Sequence, residues 1–158
     1  MERFLLRNQK ETEKLAKILA KEIVKSKKVY PERSRGALIF GLVGELGVGK
    51  TTFIQSFARG LKIKGRLTSP TFVLMKRYRA LSAHKNLYHI DCYRIKNSKD
   101  ILDLDFKEII SNPQNIIMIE WAEKIKRILP KGTIWIKFKI LSEKKREIKF
   151  TCLPTGKI

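Results

Sequence analysis

Cysteine is scarce in this chain: its 158 residues contain two, Cys92 and Cys152, too few for a disulfide framework. That usage fits a reducing compartment, and a cytoplasmic location is the expectation. Long apolar runs are missing as well. The opening Met1-Glu2-Arg3-Phe4-Leu5-Leu6-Arg7 keeps three apolar residues together before charge returns, too few for a signal-peptide core. No segment approaches the length of a membrane span, so no membrane partner is expected. Acids are the third shortage. Asp and Glu together number 15 against 35 Lys and Arg, a formal net charge of +20. Such an excess steers a protein toward nucleic acid or an acidic partner. The basic residues are nonetheless spread along the chain, with Lys predominating, and a solvated lysine surface answers the composition equally well. No internal repeat is present, and the length suits one domain spanning residues 1–158.

Glycine is also sparse, but three of the nine lie together in Gly44-Glu45-Leu46-Gly47-Val48-Gly49-Lys50-Thr51. This is the phosphate-binding pattern G-x-x-x-x-G-K-[ST]. Its flanks match what the motif needs. Ala37 to Val43 is a short apolar run that reads as a buried strand, and Thr52 to Arg59 carries apolar residues at helical spacing. Glycines at 44, 47 and 49 allow positive φ and close backbone approach to a ligand. The amides around Val48 can then form an anion nest, continued by the N–H groups of Lys50, Thr51 and Thr52 at the helix start. Lys50 supplies a charge for the β- and γ-phosphates, and the Thr51 hydroxyl suits one position around an octahedral Mg²⁺.

The remaining chain alternates strand and helix. Lys10 to Lys25 repeats Leu15, Ile18, Leu19, Ile23 and Val24 at helical spacing, with Thr12 or Asn8 to cap it. Gly60 and Gly65 punctuate a turn. In Thr68-Ser69-Pro70-Thr71-Phe72-Val73-Leu74 the hydroxyls either sense a γ-phosphate or satisfy their own backbone. A strand from Val73 to Arg79, a polar turn at 82–86 and a strand from Leu87 to Asp91 follow. Asp91 either orients a water at the sheet edge or caps what comes next. His89 and Cys92 have a ligand-like separation, but zinc wants four ligands, and His84 and Cys152 do not supply the rest convincingly. Ser98 to Ile110 reads as one or two short helices. Asn115 to Trp121 holds four consecutive apolar residues and then Glu120, which either serves Mg²⁺ in the manner of a Walker-B acid or favours a helix N-terminus. A short helix at Ala122 to Leu129 and a hairpin of Thr133 to Leu141 with Arg146 to Cys152 complete the chain.

Four signatures in this order, GELGVGKTT, TSPTF, YHIDCYR and IEW followed by LP, resemble the TsaE or YjeE family of small bacterial P-loop ATPases required for threonylcarbamoyladenosine synthesis in tRNA. The resemblance runs from about Leu15 to Phe150. It implies an α/β, three-layer P-loop NTPase-like fold with a central mixed β-sheet, helices on both faces and an antiparallel C-terminal portion. It also implies ATP and Mg²⁺ as ligands: Gly47 to Thr52 at the phosphates, Thr51 and Glu120 at the metal, and Lys50 and Asp91 with Glu120 in catalysis. Ser69, Pro70 and Thr71 would form a nucleotide-sensitive switch, and Trp121 would lie beside the site. Arg7 or Asn8, with Lys145 or Arg146, would surround the base. The implied partners are two related proteins of the threonylcarbamoyl synthase, with tRNA met through them. Departures are Glu45 and Val48 within the loop, Asp105 where Gly is usual, and Cys92 where an apolar residue is usual. The rival readings are a small-molecule kinase, for which the chain has little length to form a lid, and an ATP-gated nucleic-acid-binding switch suggested by the charge.

Overall fold

The apolar run before the glycine loop forms β2 (Leu38–Val43), which lies at the middle of a seven-stranded sheet in a computed structural model of the chain. The structure describes residues 2–25, 36–65, 67–70, 72–80 and 85–151. In chain order the other strands are β1 (Glu2–Leu6), β3 (Met75–Ala80), β4 (Lys85–Asp91), β5 (Asn115–Glu120), β6 (Ile134–Ile140) and β7 (Arg146–Phe150). Their spatial order is β1-β7-β6-β2-β5-β4-β3. The four central strands, β6, β2, β5 and β4, run parallel, while β3 at one edge and β7 and β1 at the other are antiparallel to their neighbours. Every residue of β5 is buried, as a parallel strand covered on both faces should be.

Alternation along the strands divides the core into two layers. Phe40 and Leu42 of β2 and Ile116 and Met118 of β5 face α1 (Gln9–Lys25) and α2 (Lys50–Gly60), which contribute Leu15, Leu19, Ile23, Phe53, Ile54 and Phe57. Ile39, Ile117 and Ile119 point the other way, toward Ile101 of α3 (Lys99–Leu102), Phe106 of α4 (Phe106–Ser111) and Ile125 of a 3-10 helix (Ala122–Ile128). The result is the expected three-layer α/β arrangement with helices on both faces.

Several local expectations are refined. Asn8, not Thr12, caps α1: the Glu11 amide donates to Asn8 Oδ1 at 3.1 Å, and Glu11 Oε2 accepts from the Arg7 amide at 2.7 Å. Thr12 is instead buried. Phe72 to Leu74 form a turn, so β3 starts at Met75 instead of Val73. The short helix expected from Ala122 to Leu129 is a 3-10 helix over Ala122–Ile128. Strand β1 has no counterpart in the sequence reading; it is an edge strand held by β7, with Phe4 edge-on to Phe150 at 5.7 Å. Among the described residues no helix is long and apolar enough to cross a membrane.

Candidate nucleotide site

The site is built where β2, β4 and β5 end and α2 begins. Gly44, Gly47 and Gly49 all have positive φ, of 150°, 73° and 105°. At Gly44 packing adds a second constraint, because a Cβ there would meet the Phe138 carbonyl oxygen at 2.7 Å. Gly49 is the N-cap of α2, which leaves the helix without a side-chain cap, and the first turn, beginning Lys50-Thr51-Thr52, contains no acid. Both features are unusual for a helix start, and both leave N–H groups and positive dipole available to an anion. Val48, between the glycines, is buried and anchors the loop to the α1/α2 side of the core. Lys50 is 4% exposed. Its Nζ donates to the carbonyls of Gly44 at 2.7 Å and Glu45 at 2.9 Å, and lies 4.0 Å from the Trp121 ring centre. Burial pushes the Lys50 pKa down, opposed by the charges of Glu120, Glu123 and Asp91.

Strand register brings the two acids together. Asp91 ends β4 and Glu120 ends β5, and they are direct partners across the parallel pair. Glu120 faces α2, as its parity with Ile116 and Met118 requires, and the Thr51 hydroxyl lies 2.9 Å from each of its carboxylate oxygens. His89, fully buried one pleat before Asp91, places Nε2 2.8 Å from Glu120 Oε1. Asp91 Oδ1 accepts from the Tyr93 amide at 2.9 Å, so it does cap the turn after β4. Its Oδ2 accepts from Ser69 Oγ at 3.2 Å, so it also holds the hydroxyl-rich loop against the site. Thr71 lies outside the described residues.

His89 is the functional contact that sequence reasoning missed, having weighed it only as a zinc ligand beside Cys92. Cys92 belongs to the core layer on the other side of the sheet. Its thiol pKa is pushed up to about 12, by burial first and then by Asp91. The available signal was parity: His89 and Asp91 are two residues apart on one strand and must share a face. Trp121 has φ 56° and stacks obliquely near Tyr93, with ring centres 5.3 Å apart, closing the side of the site next to Lys50. Thr52 lies farther round the loop. With Gly47, Gly49, Asn8, Thr12 and Arg146 it lines a cleft of about 240 Å³ between the loop, the start of α1 and the β6–β7 hairpin. Of the residues expected around a base, Asn8 and Arg146 border this cleft, and Arg7 and Lys145 do not.

A family profile, threonylcarbamoyl adenosine biosynthesis protein TsaE, matches residues 6–148. The chain belongs to the TsaE family. It is 34% identical over 143 residues to the tRNA threonylcarbamoyladenosine biosynthesis protein TsaE of Rickettsia felis, covering 90% of this chain and 75% of that one. It is 37% identical over 115 residues to the Bacillus subtilis TsaE, covering 73% of this chain and 70% of the relative. The crystal structure of Bacillus subtilis YdiB superposes with a TM-score of 0.68 at 30% identity, covering 94% of this chain and 83% of that chain. TsaE membership places the chain in tRNA threonylcarbamoyladenosine biosynthesis. At one departure, Asp105, the backbone takes φ 54° at the start of α4, the left-handed conformation for which Gly is suited and which Asp adopts more readily than most residues.

Proposed function

We propose that the chain is a Mg²⁺-dependent ATPase whose hydrolysis supports turnover of the partner complex that attaches the threonylcarbamoyl group to tRNA adenosine. The observation that carries this reading is the pairing of Thr51 with both oxygens of Glu120 beneath a glycine loop and an uncapped helix start. A threonine hydroxyl and a carboxylate form a hard oxygen set suited to Mg²⁺, with the Asp91 carboxylate on the adjacent strand. Mg²⁺, when bound there, supplies neutralisation of the phosphate charge. The loop amides around Gly47, Val48 and Gly49 and the first-turn amides of α2 receive the phosphates, and Lys50 swings from its own loop carbonyls to the phosphate oxygens. Asp91 organises the attacking water, and Ser69 reports through it to the switch loop that includes Thr71. Asn8, Thr52 and Arg146 border the cleft that takes the base and sugar.

A partner is needed to complete this site. Around its mouth Leu46, Phe72, Val73 and Tyr93 are exposed at 71, 82, 56 and 45%, an unusual gathering of large apolar groups. Those side chains suit docking by the two related synthase proteins, through which the reacting nucleotide of tRNA is presented. Catalysis by such sites is mainly positioning and charge stabilisation, so the isolated chain should turn over slowly. No observation favours the kinase reading.

The test is nucleotide binding by Lys50→Ala, followed by calorimetry with ATP and Mg²⁺. We expect a loss of at least about tenfold in affinity, since a charge-assisted contact contributes roughly 1.5–3 kcal/mol. Unchanged affinity would remove the basis for assigning Lys50 to the phosphates.

A further inference from the structure

Among the described residues, part of the +20 charge is organised on one face of the sheet. On the sheet face opposite α1 and α2, the helical cover of α3, α4 and the 3-10 helix lies over β2, β5 and β4. Beyond it β6, β7 and β1 continue; among the described residues the 3-10 helix reaches this face only at half-buried Trp135 at the start of β6. Their core-facing residues are apolar: Phe4 and Leu6, Ile148 and Phe150, Ile134, Ile136 and Phe138. The alternate positions are Arg3 and Leu5, Glu147 and Lys149, and Lys137 and Lys139.

Register turns these residues into rows. Arg3 is the cross-strand partner of Lys149, and Lys149 of Lys137, so three cations stand side by side on three adjacent strands. The next row is Leu5, Glu147 and Lys139. Like charges directly opposite one another destabilise a sheet, and this fold relieves the strain only in part. Glu147 is buried and bonded by both Arg3 and Lys149, which holds its carboxyl below the ordinary range. Lys137 and Lys139 are exposed, as is Lys126, which borders the same face 6.0 Å from the Trp135 ring centre. Five basic groups thus share this face with one acid, which is bonded by two of them.

We propose that this open face binds the phosphate backbone of RNA without reading its sequence. The chemistry favours RNA over a protein partner. Protein interfaces are depleted in Lys and are anchored by aromatic or apolar groups, whereas the exposed large apolar residues described on this face, Leu5 and Leu141, lie at its rim. Lysines two apart on β6 stand roughly 7 Å from each other, and neighbouring strands add steps of about 5 Å, a grid on the scale of a nucleic acid backbone. The face is separate from the nucleotide cleft, which lies on the α2 side of the sheet. RNA held here gives the chain its own grip on the tRNA that its partners modify, and the grip does not depend on ATP.

The experiment is fluorescence anisotropy of the full chain with a labelled, unmodified tRNA transcript over a series of salt concentrations. Three variants are compared: Lys126, Lys137 and Lys139 all changed to Gln; the same three changed to Arg; and Lys10, Lys14 and Lys21, exposed on α1, changed to Gln. The first and third lose equal charge. We expect the first to bind at least about tenfold more weakly, with a logarithmic salt slope shallower by about 2, near the loss of three phosphate contacts. The Arg variant should bind as the parent does, and the α1 variant should change by less than about threefold. Lys50→Ala should leave tRNA binding intact, which separates this proposal from the nucleotide assignment. Equal weakening by the two Gln variants would reduce the face to a share of general charge, and no weakening by the first would overturn it. Displacement of tRNA by poly-glutamate as readily as by unlabelled RNA would assign the face to an acidic protein instead.

Discussion

His89 Nε2 lies 2.8 Å from Glu120 Oε1, while Nδ1 is buried and has no hydrogen-bond partner among the described residues. A carboxylate only accepts, so the proton belongs on Nε2, and the group left bare at Nδ1 is a lone pair instead of a costlier N–H. Under the function proposed above, His89 is a positioning residue: it would keep Glu120 aimed when the Thr51 hydroxyl turns to another ligand. Outer-shell partners of this kind typically tune metal affinity by tenfold or more. His89→Leu should weaken the Mg²⁺-dependent part of ADP binding by about tenfold while leaving ADP binding in EDTA unchanged. His89→Gln, which retains a side-chain N–H, should restore part of it. Equal losses with and without Mg²⁺ would mean that the imidazole serves packing alone. At this scale the glycine loop between β2 and α2 was legible because its residue types and spacing are local. The Glu120–His89 contact was not, because it needs the β4–β5 register.

Gly60 illustrates what changes at the scale of elements. In the sequence it reads as turn punctuation, but in the fold it ends α2 where α1 crosses closest. A Cβ at Gly60 would meet Ala20 Cβ at 2.6 Å and the Lys17 carbonyl oxygen at 3.0 Å. Gly60→Ala should therefore destabilise the chain by about 1–3 kcal/mol, the usual cost of overpacking, despite the better helix propensity of Ala. Denaturant unfolding measures this, and a stabilised variant would show that the two helices can separate freely. Strand β1 was illegible for a related reason: its five residues are stable only as an addition to β7. The β1–β7 junction also has a pH signature. Lys149 first, through its hydrogen bond, and then Arg3 lower the Glu147 pKa. The sign follows from a depressed folded value: the stabilisation is present above the ordinary carboxylate pKa and is lost as pH falls through the lowered one. Glu147→Gln should unfold at lower urea than the parent near pH 7, and the difference should shrink as pH falls below the carboxylate range. A gap that persists in acid would show that packing, not charge, is what Glu147 supplies.

For the molecule as a whole, the alternation of strand and helix was legible because β2 and β5 are continuous apolar runs bounded by helical patterns, while the three-layer α/β arrangement came from the family resemblance. Strand order was not, because the placement of β6 beside β2 and of β1 beside β7 depends on contacts distant in sequence. The same limit applied to charge. A composition of 35 basic residues says nothing of location, and only the register gathers Arg3, Lys149 and Lys137 into one row. Two faces of one sheet then divide the work proposed for the chain. The α2 side carries the residues proposed for phosphate and metal, beside exposed Phe72 and Tyr93, and the far side presents cations.

Release of inorganic phosphate from ATP, followed with and without the two synthase partners, tests the central claim most directly. The account predicts slow Mg²⁺-dependent release by the chain alone, acceleration when the partners are added, and loss of both in Lys50→Ala. Absence of release under every condition, or appearance of the γ-phosphate on a nucleoside acceptor with none in water, would contradict it.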